Sequence, residues 1–136
     1  CALPISEDEF FASSGVRSSV EAARNALSDK IQYLTEFLGG EYEIQGAYPA
    51  WEYRKESPLR DKMVEVYETM YGQKPEVVAI HAGLECGLFY KKIDGLDCVS
   101  LGPDMKDIHT SEEVLDIAST ERVWKYLVKV LEELKD

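Results

Sequence analysis

Residues 75–87 read PEVVAIHAGLECG, and how this stretch is parsed decides the fold. PEVVAI, at 75–80, is a continuous apolar run, the pattern of a strand covered on both faces. HAGLECG, at 81–87, ends it with a histidine, two glycines, a glutamate and a cysteine, and a helix is expected to start near Glu85 or Cys86. Strand, glycine loop and helix in that order describe a unit of an α/β sheet, whose ligands sit beyond the carboxyl ends of the strands. A second apolar run, LDCVSLG at 96–102, leads into GPDMKDIHTSEE at 102–113, so two polar loops are expected to converge at one end of the sheet.

Working outward, Ser57 and Pro58 form an N-cap and N1 pair. Leu59, Met63, Val66 and Met70 make the stripe of a helix that Gly72 ends. A last helix is expected from about Thr120, capped by Ser119 or Thr120, with Val123, Leu127, Val130, Leu131 and Leu134 on its apolar face. Toward the amino end, FFASSGVRSS at 10–19 begins strand-like, and Ser18 with Glu21 reads as a capping box. Val20, Ala23, Leu27, Ile31, Leu34 and Leu38 then recur at helical spacing up to Gly39 and Gly40. EYEIQGAY at 41–48 alternates like a strand with one wet face. Pro49, in the aromatic connection YPAWEYRKE, marks a domain boundary, giving a strand-helix-strand domain at 1–48 and an α/β domain at 49–136.

Composition narrows the function. A net charge of −11 repels phosphate backbones, and the 15 Lys and Arg are scattered, so no nucleic-acid partner is expected. No apolar run approaches membrane-helix length and no signal peptide is recognisable, so no membrane partner and a cytoplasmic location are expected. Cys1, Cys86 and Cys98 make an odd count without a CxxC and are read as reduced thiols. The start at Cys1, without methionine, suggests a piece of a longer protein.

Gly83 and Gly87 allow tight turns, and the helix behind them offers free N–H groups to a small anion such as a carboxylate. The same glycines also suit a plain strand-to-helix turn. His109 is a candidate zinc ligand or an ordinary loop histidine, and Thr110 with Glu113 reads as a second capping box. His81 is ambiguous in the same way, and Arg17 is a carboxylate clamp or an exposed strand cation.

Residues 77–119, with HAGLECG, GLD, SLGP and DIHTSEE in order, resemble the C-terminal signature of the Xaa-His (aminoacyl-histidine) dipeptidases, zinc metallopeptidases that include the carnosinases. SSGVRSSVE at 13–21 and GAYPAWE at 46–52 resemble other segments of that family, so the resemblance spans nearly the whole chain. It implies an α/β/α catalytic domain with an inserted α+β lid, of which residues 1–48 would be the last strand-helix-strand and 49–136 the C-terminal catalytic part. It implies hydrolysis of dipeptides ending in histidine by a water that two zinc ions activate, with His109 as one metal ligand and Glu113 as the family's following acid. Ser111 stands where the family usually has proline. By the same resemblance Arg17 holds the substrate carboxylate, and His81, Gly83, Leu84 and Glu85 form the substrate loop. The HxD segment, the Glu-Glu pair with its general base and the other ligands of the family are absent here, so this piece alone is expected to be inactive. Pairing of lid domains into a homodimer is a further implication. The reading independent of the resemblance is a noncatalytic acidic α/β module that binds a small anion or mediates dimerisation.

Overall fold

The computed structural model describes residues 10–80 and 85–135. It is an α/β arrangement in which helices dominate and the strands form one small antiparallel hairpin among the described residues. Two compact units share the chain, one within Cys1–Tyr53 and Ala79–Asp94, the other Arg54–Val78 with Gly95–Asp136.

The first unit holds α1 (Glu21–Phe37) and α3 (Glu85–Lys92). The expected Ser18 cap is displaced: Val20 takes the N-cap position, and the Ser18 hydroxyl accepts the Val20 N–H at 3.1 Å, outside the helix. Glu52 supplies the long-range substitute, its carboxylate accepting the Glu21 N–H at 3.3 Å. The Arg24 guanidinium donates to the Tyr48 carbonyl, and Ser28 meets the Tyr42 hydroxyl at 2.8 Å, so the chain after α1 returns along it. α1 has the expected stripe but buries none of its residues among the described ones, and Leu34 and Leu38 are 60% and 74% exposed. Residues 41–48 form no strand, because a strand needs a neighbour for its N–H and C=O groups and no described segment supplies one.

The second unit contains α2 (Pro58–Tyr71), β1 (Met105–Lys106), β2 (Val114–Leu115) and α4 (Ile117–Glu133). α2 forms as its sequence dictates. The Ser57 hydroxyl accepts the Arg60 N–H at 3.1 Å, Pro58 occupies N1, and Gly72 closes the helix at φ 70°. Asp97 adds a second layer to that cap, accepting from the Ser57 hydroxyl at 2.7 Å and the Leu59 N–H at 2.9 Å. α4 starts earlier than expected, since Asp116, not Ser119 or Thr120, is its N-cap and accepts the Ser119 N–H at 2.6 Å. Met63 and Val66 of α2 meet Tyr126 and Val130 of α4 in the core, with Leu59, Tyr67, Met70, Tyr71 and Val99 around them. The Tyr126 hydroxyl donates to the Met63 carbonyl at 2.7 Å, and its ring stands edge-on to Tyr67 at 5.3 Å between centroids.

The expected buried strands at 75–80 and 96–102 are corrected as well. Neither run is in a strand, and Val77, Val78 and Ile80 are exposed, because no described strand lies beside them to complete a ladder.

Asp97 makes the second unit sensitive to acid. Burial raises its pKa, but the Ser57 hydroxyl, the Leu59 N–H and the Arg54 and Arg60 guanidiniums outweigh that and hold the carboxyl below its ordinary value. A depressed carboxyl contributes stability that is present above the unfolded-state pKa and lost as pH falls through the folded one. Acid unfolding of this unit should therefore steepen below about pH 4, and Asp97→Asn should flatten that segment of the stability profile. An unchanged profile in the variant would remove Asp97 from the account.

Candidate functional site

His109 lies in the second unit, on the seven-residue loop from Asp107 to Glu113 that joins β1 to β2. β1 and β2 pair antiparallel, Met105 opposite Leu115 and Lys106 opposite Val114. The hairpin is fastened to the start of α4. The Asp116 N–H donates to the Asp104 carbonyl at 3.0 Å, and the Asp104 N–H donates to the buried Ser119 hydroxyl at 2.8 Å. Ser119 is thus turned inward to hold the hairpin, which is why it does not cap the helix.

Inside the loop the Asp107 carbonyl accepts twice from Thr110, from its N–H at 3.1 Å and its hydroxyl at 2.6 Å. Asp107 and His109 both take left-handed backbone angles, φ 53° and 66°. Such angles are uncommon outside glycine, though Asp and His are enriched among the exceptions. The Glu113 carboxylate accepts the His109 N–H at 2.7 Å. The expected Thr110–Glu113 capping box is therefore corrected: these residues close a hairpin loop, and Glu113 reaches back to His109 rather than to a helix N-terminus.

The resemblance makes His109 one ligand of a zinc pair, and the described residues around it do not by themselves make up the donor set of such a centre. Among the described residues no three His, Cys, Asp or Glu side chains gather where they could hold a metal ion. His109 is exposed, and the nearby Glu113 carboxylate is engaged by a backbone N–H. The expectation that this chain is the C-terminal portion of a di-zinc dipeptidase is corrected accordingly, to a chain whose described residues build no di-zinc centre of their own. Three or more ligands are the usual requirement for a catalytic zinc.

The remaining candidates belong to the first unit. Arg17 is exposed, and no described carboxylate lies within ion-pairing distance of it. Glu85 opens α3 as the acidic residue of its first turn and is exposed. A carboxylate there favours the helix and disfavours a second anion at the same end. His81, Gly83 and Leu84 lie outside the described residues.

Gly87 is not a turn residue, as its place in HAGLECG suggested, but a buried position within α3. A Cβ built there would stand 2.9 Å from the Pro49 carbonyl oxygen and 3.6 Å from Trp51 Cβ. Glycine is needed because the helix presses against the 49–51 backbone. Sequence reasoning missed this, since the need for glycine comes from the Pro49 carbonyl oxygen, 38 positions away, and leaves no local signal.

Among the described residues no helix is long and apolar enough to cross a membrane. Cys86 and Cys98 are not joined by a disulfide, and both are half-buried.

No family model matches the chain. The cytosol non-specific dipeptidase of Escherichia coli K12 is 33% identical over 119 residues, which are 88% of this chain and 24% of that protein. The crystal structure of aminoacylhistidine dipeptidase from Vibrio alginolyticus is 34% identical, with a TM-score of 0.71 over 88% of this chain and 24% of the other. The chain thus spans about a quarter of the length of these relatives. Identity at this level, together with a shared fold over the same share of the chain, makes this chain, over most of its length, a homologue of the aminoacylhistidine and cytosol non-specific dipeptidases.

Proposed function

We propose that this chain is a noncatalytic, small-anion-binding part of a dipeptidase-related protein, and that the anion is the terminal carboxylate of a dipeptide. One observation carries this reading: 88% of the chain matches 24% of a dipeptidase, while its described residues assemble no metal cluster. On this reading the peptide bond is cleaved by groups the chain does not contribute, and the chain's own task is to hold the ligand.

Arg17 is the residue proposed for the carboxylate. With a net charge of −11 the chain repels anions at long range, so capture needs a local cation with a forked donor set. Arg17 offers one that no described carboxylate neutralises. His81, Gly83 and Leu84 are proposed to complete the ligand's surroundings, with Glu85 meeting an amine or imidazole rather than the carboxylate.

Calorimetry with glycyl-histidine and its C-terminal amide tests the assignment. The chain should prefer the free acid by roughly tenfold or more, the worth of a charge-assisted hydrogen bond, and Arg17→Ala should abolish that preference. Equal affinity for acid and amide in the unaltered chain would reject the clamp.

A further inference from the structure

The Glu113 carboxylate is committed to one backbone N–H, that of a residue whose backbone is left-handed. His109 at φ 66° is a conformation that a side chain with a Cβ resists, and the loop around it fixes neighbouring atoms instead. Asp107 is bonded to Thr110, and the Thr110 hydroxyl accepts the Glu112 N–H at 3.2 Å. The bond to Glu113, at 2.7 Å across four residues, is the contact that acts on His109 itself.

We infer that Glu113 is a positioning residue for His109: its carboxylate fixes the left-handed backbone of that residue, and with it the direction in which the exposed imidazole leaves the hairpin. The role is independent of what the imidazole meets. Without the acceptor the His109 N–H turns to solvent, φ relaxes toward negative values, and the ring samples several directions. Glutamine keeps an acceptor oxygen at the same reach and should preserve the arrangement, whereas alanine removes it.

The test uses the isotopically labelled 136-residue chain in solution. A residue at positive φ gives a strong cross-peak between its own N–H and Hα. In the unaltered chain and in Glu113→Gln this signal should be strong for His109 and its amide exchange slow. In Glu113→Ala the signal should weaken and exchange accelerate about tenfold, the usual cost of one lost hydrogen bond. Signals of the buried Tyr126 and Val130 should stay in place, which separates a loop effect from unfolding. Unchanged His109 signals in Glu113→Ala, or equal losses in the Gln and Ala variants, would overturn the role. Should Glu113→Ala unfold the unit, the His109→Gly background decides. Glycine occupies positive φ freely, so the same change should cost less there, and an equal cost would overturn the role.

Discussion

Tyr126→Ala is expected to destabilise the second unit by about 3–5 kcal/mol, the range for removing a large aromatic side chain from a core. The core of this unit is small: Met63, Val66, Tyr126 and Val130 are its buried apolar residues among those described. Tyr126 fills the space between α2 and α4, meets Tyr67 edge-on, and ties its hydroxyl to the Met63 carbonyl at 2.7 Å. A loss of that size approaches the whole stability of a marginal unit. Urea unfolding followed by tyrosine fluorescence and by amide exchange in α4 should show it. Tyr126→Phe keeps the packing and loses the hydroxyl bond, so it should cost only about 1 kcal/mol. Equal losses in the two variants would mean that the ring is not what holds the helices together.

Gly87→Val should have a comparable effect on the first unit, costing roughly 3 kcal/mol by overpacking. The new Cβ alone would meet the Pro49 carbonyl oxygen at 2.9 Å, and that oxygen is backbone, unable to swing aside. Gly87→Ala makes the same contact but gains about 1 kcal/mol of helix propensity, so it should be the milder change. Exchange of the α3 amides, residues 88–92, reports the outcome directly. Unchanged protection in Gly87→Val would show that α3 does not lean on residues 49–51.

The elements legible in the sequence were those whose signals are local. Ser57, Pro58 and Gly72 specify the ends of α2 within a few residues, and each occupies its expected place. The start of α3 near Glu85 was legible for the same reason. The start of α4 was not, because Ser119 as well as Asp116 is able to cap, and the choice was made by the hairpin, which claims the Ser119 hydroxyl for the Asp104 N–H. Asp97 as a second cap for α2, 38 positions from Leu59, carries no local signal at all.

The apolar runs at 75–80 and 96–102 have the composition of buried strands, but a strand is completed by its neighbour, and composition does not provide one. The His109 loop shows a related limit. Thr110 and Glu113 have the donor and acceptor spacing of a capping box, and a tight loop satisfies the same groups by reaching one residue further back. Residue types and spacing made the loop conspicuous. What gathers around its histidine is a tertiary fact, and among the described residues no metal-holding group does.

The most direct test of the account is to incubate the 136-residue chain with glycyl-histidine and zinc, following heat of binding and release of free histidine together. A noncatalytic carboxylate-binding part should bind the dipeptide, show no tight stoichiometric uptake of zinc, and release no histidine. Stoichiometric zinc uptake with turnover of the dipeptide, lost in His109→Ala, would contradict it.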